Sequence, residues 1–342
     1  IWAILITSLS TSTIITMAST HWLLAWLGLE LNTLSMLPIM MKPHHPRATE
    51  ATTKYFIIQA TSAALILFSS TLNAWETGQW LITTTSSTLA TTTLTIAIAL
   101  KLGLAPMHFW YPEVLQGSTL NTAMIISTWQ KIAPLTLLYL TINHLPTTPL
   151  LLIGLTSTLL GGWTGLNQTQ TRKILAFSSI AHMGWLAIAL NLTPSLATLT
   201  FMAYTMMTAA MFSSLSATLT KTLTDLGTTW TNSPTLLTTM MMILLSLGGL
   251  PPLTGFLPKI LILKELSQTG LTTLSITLAL ASLPSLFFYT RMAYMTTLTA
   301  PPNTTNVGYK WRFKTNHITN LTPTMTISIM LLPMMPLLYT TI

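Results

Sequence analysis

Apolar runs of about the length of a membrane span recur along the whole chain, separated by short segments rich in Pro, Asn or charge. A spanning helix needs about 20 predominantly apolar residues. On that rule the pattern predicts eleven spans, at 1–19, 22–41, 55–75, 86–108, 119–142, 149–166, 173–192, 195–219, 235–258, 271–293 and 322–341. Two connections are longer, 42–54 and 294–321, the second carrying Lys310, Arg312 and Lys314; neither is long enough to be a domain. The expected fold class is all-α, one polytopic membrane helical bundle running over 1–342.

Composition sharpens this reading. Only 6% of the 342 residues are charged, against 50% hydrophobic, whereas a soluble globular domain carries about 25% charged residues. Lys+Arg 14 and Asp+Glu 6 are too few to coat a water-exposed surface of this size, which excludes a soluble enzyme. The mean hydropathy of +0.62 is modest because Thr dominates the polar fraction, and a helical Thr can return its hydroxyl to a preceding carbonyl. With 0 Cys, disulfides, Cys-ligated iron–sulfur clusters and c-type haem attachment are excluded. The net charge of +8 is scattered between apolar runs rather than gathered on one face, so no nucleic-acid partner is expected. No cleavable signal is evident, and because the chain opens on Ile1 a short preceding piece is expected.

The basic residues also orient the bundle. If the N-terminus and every second loop share one side, that side receives ten of them: Lys42, Arg47, Lys54, Arg172, Lys173, Lys221, Arg291, Lys310, Arg312 and Lys314. The opposite side receives Lys259 and Lys264. The N-terminus is expected on the cytoplasmic side, or the matrix side in a mitochondrion, and the C-terminus across the membrane.

An internal repeat is visible. Span four ends in Gly103-Leu104-Ala105-Pro106 followed by Pro112, and span nine in Gly249-Leu250-Pro251-Pro252 followed by Pro258. Each break sits in the fourth span of a five-span unit, 1–142 and 149–293, with 322–341 as a terminal helix. Five is odd, so the second unit enters inverted. Inverted repeats with Gly/Pro-broken helices mark ion paths near the midplane in transporters; the plainer reading is two ordinary kinked helices.

Four ionisable residues fall inside or at the edge of spans: Glu30, Lys101, Lys131 and Lys259. A charged side chain at the bilayer centre costs about 2.5–3.5 kcal/mol on insertion scales, so each needs a reason. Desolvation favours the neutral amine of a lysine, and a nearby carboxylate favours its ammonium. A Glu30–Lys101 pair of variable separation would therefore act as a proton switch. Lys131, one turn from Pro134, is placed to receive that proton through ordered water, and Lys259, beside Pro258, to take it onward. The alternatives are a static ion pair that fixes helix packing and, for Lys259, snorkelling to the interface. His108 and His182 are lesser relay candidates, since imidazole suits proton transfer, against the packing role a lone span histidine ordinarily has. His44-His45 has no partner at metal-ligand spacing and reads as solvated. Gly161-x-x-x-Gly165 suggests close helix contact. Tryptophans such as Trp22, Trp26 and Trp80 suit interface belts. There is no phosphate-binding loop, dinucleotide glycine fingerprint or Ser/His/Asp arrangement.

At these residues the chain also resembles a known family. Trp26-Leu27-Gly28-Leu29-Glu30-Leu31-Asn32, Lys101-Leu102-Gly103-Leu104-Ala105-Pro106-Met107-His108-Phe109-Trp110, Pro112-Glu113-Val114-Leu115-Gln116-Gly117 and Thr128-Trp129-Gln130-Lys131 are similar to the subunit 2 family of mitochondrial NADH:ubiquinone oxidoreductase, respiratory complex I. So are the segment from Gly165 to Lys173 and Gly248-Gly249-Leu250-Pro251-Pro252-Leu253-Thr254-Gly255-Phe256. The similarity covers nearly the whole chain and looks like an animal, vertebrate version. It implies an antiporter-like subunit whose buried polar axis falls on Glu30, Lys101, Lys131 and Lys259. It also implies a place in the mitochondrial inner membrane, N-terminus on the matrix side and C-terminus on the intermembrane-space side. The partners implied are other membrane-arm subunits and the phospholipid bilayer, with no small-molecule substrate beyond protons and water. No cofactor is expected on this chain, since FMN, iron–sulfur clusters and ubiquinone belong to other subunits. Bacterial relatives have fourteen helices, so the eleven here leave contacts made by three N-terminal helices in doubt. A stand-alone cation/proton antiporter would use the same residues, and a purely structural membrane subunit would tolerate neutral substitutions at them.

Overall fold

The computed structural model describes residues 2–85, 87–231, 233–298, 321–330 and 333. Lys310, Arg312, Lys314 and half of the expected last span lie outside the described residues. The described residues are helical, joined by turns and by two isolated antiparallel bridges, His21 with Leu81 and Gln170 with Thr222. They divide into two compact units, Ile1–Ser157 and Thr158–Ile342.

In the first unit α1 (Trp2–Ala18) packs on α2 (Trp22–Met41), and α2 on α3 (Pro46–Thr77), which lies along α4 (Thr88–Leu102). Gly28 lets α1 and α2 close up, because a Cβ there would meet Thr16 Cγ2 at 2.5 Å and Ser12 O at 3.1 Å. α3 starts nine residues before the expected span, so part of the 42–54 connection is helix. Pro46 is at its first position, where the missing N–H costs nothing, and the His45 ring accepts the Arg47 N–H. At 1.5 Å per residue its 32 residues reach about 48 Å, more than the ~30 Å hydrocarbon core. The excess accommodates Arg47, Glu50 and Lys54 outside it. α4 is the reverse case, 15 residues or about 22 Å; it stops at Leu102 rather than 108. The chain continues as α5 (Trp110–Gly117), where a loop was expected, then α6 (Leu120–Thr128) and α7 (Ile132–Thr141). The expected fifth span is thus interrupted by a 3-10 turn, Trp129–Lys131. Pro134 explains it, having no N–H to return to the carbonyl four residues back. α8 (Thr147–Gly165) begins in this unit.

In the second unit α9 (Thr171–Leu192) is the central helix, with 89% of its apolar window buried against 28% for α14 (Thr272–Thr297). After Lys173 it carries no Asp, Glu, Lys or Arg and, His182 apart, is apolar or small on every side, as a helix surrounded by protein must be. α10 (Pro194–Thr218) and α13 (Phe256–Gln268) pack against it. α12 (Pro234–Gly248) lies against α10 and α14, and α15 (Leu321–Met330) against α10 and α12. The short α11 (Leu223–Leu226) carries a capping box, Thr222 with Asp225. α12 ends at Gly248 rather than 258, and α13 occupies what read as a connection. Gly161 and Gly165 do make the expected close approach: a Cβ would meet Ala181 N at 2.8 Å and Phe288 Cδ1 at 2.9 Å respectively.

Among the described residues five helices, α2, α3, α9, α10 and α14, are long and apolar enough to cross a membrane, and α1, α4, α12 and α15 are shorter apolar helices. Their hydroxyls behave as the Thr-rich composition required. Thr16 donates to Thr13 O at 2.7 Å, Thr95 to Thr92 O at 2.7 Å, Ser178 to Leu175 O at 2.7 Å and Thr208 to Tyr204 O at 2.8 Å. Trp22 departs from the belt expectation. It is 2% exposed, where its backbone N–H pairs with Trp80 O at 3.0 Å and holds the start of α2 against the 80–82 segment.

Candidate functional site

Both breaks are built the same way. Gly103 (φ 72°, ψ 37°) and Gly249 (φ 80°, ψ 43°) are in the left-handed region that favours glycine. Each N–H turns back to the carbonyl three residues earlier, Leu100 at 3.2 Å and Ser246 at 3.0 Å. The next residues, Leu104 and Leu250, reach back five, to Ala99 O at 2.9 Å and Leu245 O at 3.3 Å. This Schellman closure satisfies some of the carbonyls that a helix end exposes. The rest must find donors inside the protein, and in both units polar side chains collect there.

In the first unit Lys101, in the last turn of α4, is 7% exposed, and Lys131, in the 3-10 turn, is 3% exposed. Both line one cavity of about 20 Å3, together with Asn32, Tyr55, Gln59 and Gln130. A cavity needs about 10–15 Å3, measured at water centres, to hold one water. Gln130 donates to Asn32 Oδ1 at 2.9 Å, Tyr55 OH donates to Gln130 Oε1 at 3.4 Å, and Gln59 Nε2 reaches Lys101 O at 3.5 Å. The Lys131 ammonium lies 4.9 Å from the centroid of the Tyr111 ring, a cation–π distance. Glu30 is half-buried on α2. It interacts with Lys101 through space but makes no direct ion pair with it. The Thr33 hydroxyl donates to Glu30 O at 2.8 Å and lies 3.2 Å from Glu30 Oε2. The ion pairs among the described residues are Lys54 with Glu50 at 2.5 Å and with Glu113 at 2.6 Å.

In the second unit Lys259, on the first turns of α13, donates to Gly248 O at 2.9 Å. Its ammonium caps the C-terminal end of α12, where the helix dipole favours positive charge. It is turned inward rather than snorkelling. It shares a second cavity of about 20 Å3 with His182, Thr200, Tyr204 and Pro258. His182 Nε2 is 3.3 Å from Tyr289 OH, and its ring is 5.6 Å from Tyr204.

Of the six residues singled out in the sequence, Lys101 and Lys131 therefore meet in one cavity, with Glu30 close by. Lys259 and His182 meet in another. His108 is apart from both, buried at the first break with Nδ1 3.3 Å from Pro106 O. Sequence reasoning gave no role to Asn32, Gln59 and Gln130, although an amide inside an apolar run was a visible signal. Tyr55, Tyr111, Tyr204 and Tyr289 gave none, because a tyrosine in an apolar run reads equally well as packing.

The same breaks and buried lysines fall inside a recognisable family. The domain described as NADH:quinone oxidoreductase/Mrp antiporter, TM, matches residues 19–284. The chain belongs to that family. A second domain of it, described as NADH dehydrogenase subunit 2 C-terminus, matches residues 286–339. Relatives named NADH-ubiquinone oxidoreductase chain 2 are 55% identical in Carassius auratus, covering 98% of this chain and 97% of the relative, and 54% identical in Gallus gallus, covering 97% and 96%. Among solved structures, a chain of respiratory complex I from Thermus thermophilus with bound aureothin superposes with a TM-score of 0.84 at 26% identity, over 98% of this chain and 77% of that one. A chain of the Mrp complex from Dietzia sp. DQ12-45-1b superposes at 0.85 with 15% identity, over 98% and 75%, a likeness of fold alone. The antiporter-like fold class expected from the sequence is the one this family has.

Proposed function

We propose that this chain is a proton-translocating membrane-arm subunit of a mitochondrial NADH:ubiquinone oxidoreductase. It moves protons through buried lysines while electron transfer from NADH to ubiquinone proceeds on other subunits. The observation that carries the reading is the pairing of Lys101 with Lys131 in one cavity alongside Asn32, Gln59 and Gln130, in a chain 55% identical over nearly its full length to a relative named for that oxidoreductase. A static ion pair is a poorer account of Lys101, since Glu30 is near enough to act on its charge but is not bonded to it. In this reading Glu30 tunes Lys101, Lys131 exchanges a proton with it through water, and Lys259 with His182 forms the corresponding proton site of the second unit. His108 serves the packing of the first break.

The same proposal takes the chain as eleven spans in two inverted five-helix repeats, 1–142 and 149–293, followed by a terminal helix at 322–341. The basic loops put the N-terminus on the matrix side and the C-terminus on the intermembrane-space side. Partners are the neighbouring membrane-arm subunits and the bilayer lipids; flavin, iron–sulfur and quinone chemistry is assigned to other subunits.

The test is to extract the native membrane in mild detergent, separate complexes on a native gel and locate this chain against in-gel NADH dehydrogenase activity. Co-migration with a very large NADH-oxidising band is expected. Migration as a small, NADH-inactive oligomer would refute the assignment and favour a stand-alone antiporter.

A further inference from the structure

The lysine cavity of the first unit and its outer surface have one residue in common. A groove of about 280 Å3 opens on the outside, lined by Lys54, Ile57, Ile58, Phe109, Trp110 and Glu113. It is open, with Phe109 74% and Ile57 59% exposed. Trp110 also lines the inner cavity with Lys101 and Lys131. Its ring lies 5.9 Å from Tyr55 and 5.5 Å from Tyr111, two further residues of the inner lining. Trp110 is 5% exposed, and its buried indole N–H has no hydrogen-bond partner in the structure. A buried indole N–H usually has one, and an unsatisfied buried donor costs about 1–3 kcal/mol. A donor between an open groove and a polar cavity can be satisfied by water arriving from either.

The rim of the groove is charged. Lys54 is shared between Glu50 and Glu113, and Arg47, one turn before Glu50 on α3, balances the second carboxylate. Lys54 and Glu50 on the early turns of α3 and Glu113 in the first turn of α5 are all exposed, so one end of the groove is bordered by solvated charge.

We propose that this groove is the water-accessible entrance to the Lys101–Lys131 cavity and that Trp110 is the gate between them. The inference rests on the proton-transfer reading above. When the indole swings aside, a hydronium from the groove gives its proton to the neutral amine of a cavity lysine. The amine becomes an ammonium, the hydronium becomes water, and bulk water replenishes the groove. No other reactant is needed.

The natural lack of Cys makes the test direct, because a single introduced thiol is the only one on this chain. Gln59→Cys puts it in the inner lining. In inside-out submitochondrial particles holding the assembled complex, the probe is a membrane-impermeant cationic thiosulfonate, and the readout is the rate at which label appears on this chain. Slow modification is expected with Trp110 in place, about tenfold faster modification with Trp110→Ala, since removing a wall side chain replaces a local opening by a permanent one, and an intermediate rate with Trp110→Phe. Ile57→Trp, which fills the groove from its exposed side and leaves the core untouched, slows the reaction and decides the matter if Trp110→Ala fails to assemble. Rates indifferent to both Trp110 and Ile57 changes would overturn the gate. Labelling does not depend on pumping, so normal pumping by Lys101→Met would sink the relay while these rates still judged the gate.

Discussion

Gly249→Ala is the perturbation whose cost the structure lets us work out most fully. Gly249 has φ 80°, and holding a residue with a Cβ in the left-handed region costs about 1–2 kcal/mol. The added Cβ would stand 2.8 Å from Lys259 Nζ, 3.1 Å from Cδ and 3.2 Å from Cε. The side chain of Lys259 is flexible and can retreat, but retreat breaks its 2.9 Å bond to Gly248 O. A hydrogen bond from a charged group contributes about 1.5–3 kcal/mol. Moving Lys259 by even 1.4 kcal/mol lowers the occupancy of its capped position about tenfold. Two other glycines separate the contributions. At Gly78 (φ 71°) a Cβ meets nothing within 4 Å, so alanine there carries the backbone cost alone; at Gly103 (φ 72°) the nearest atoms are Tyr111 Cβ at 3.4 Å and Trp110 Cζ2 at 3.5 Å, ordinary contacts. The assay is proton uptake per NADH oxidised by the assembled complex in proteoliposomes, with assembly checked on a native gel. Gly249→Ala should assemble and pump poorly, Gly103→Ala should lose less, and Gly78→Ala should be close to wild type. Equal pumping by Gly249→Ala and Gly78→Ala would refute the coupling of Lys259 to the break.

Lys101→Met is expected to preserve assembly and strongly lower proton pumping, and wild-type pumping in that variant would end the relay assignment. Glu30→Gln should give a milder loss, because Glu30 acts on Lys101 rather than carrying the proton; a complete block, read in the same pumping assay, contradicts that role. Gly161→Ala places a methyl 2.8 Å from Ala181 N and 2.9 Å from Phe177 O, backbone atoms that cannot yield, so less assembled complex is expected on a native gel, against a smaller loss with Gly270→Ala, which at φ 81° carries the backbone cost alone because its Cβ meets nothing within 4 Å. Asp225, in the short α11, is pushed up by partial burial but pulled down further by the N–H groups of Thr222 and Lys221 and the Thr222 hydroxyl, leaving its carboxyl below the usual aspartate range. Its contribution is therefore full above the unfolded pKa and is lost as pH falls through the folded one. Amide exchange at Thr222 and Lys221, corrected for its intrinsic pH dependence, should lose protection only below the ordinary aspartate range near pH 4, and Asp225→Asn should abolish that dependence.

The division between what was legible in the chain and what was not follows from the range of the forces. Runs of apolar residues, the Thr-rich polar fraction and the scarcity of charge settle a membrane helical bundle locally, since no backbone group can go unbonded in lipid. The two Gly-x-x-Pro breaks are local for the same reason: a left-handed glycine and prolines terminate a helix whatever lies around it. The four intramembrane charges announced themselves by their cost. Helix ends inside the loops did not, because α5 and α13 are short, mixed in polarity and held by packing on α3 and on α9, α10 and α14 respectively.

Residues far apart in the sequence meet only once helices have packed, and that decided the sites. Lys101 and Lys131 share a cavity because α4 ends and the 3-10 turn begins against α3; Gln130 meets Asn32 across 98 positions of sequence, and His182 meets Tyr289 across 107. Glu30 meets Thr33 one turn along the same helix, a local contact, whereas Lys259 turns inward onto the Gly248 carbonyl of another helix, which depended on the polar partner the packed helices brought within 3 Å or so. Hydropathy along a chain fixes which segments leave water, whereas the pairing of buried polar atoms is a property of three-dimensional neighbours, and in this protein the tertiary structure alone selected them.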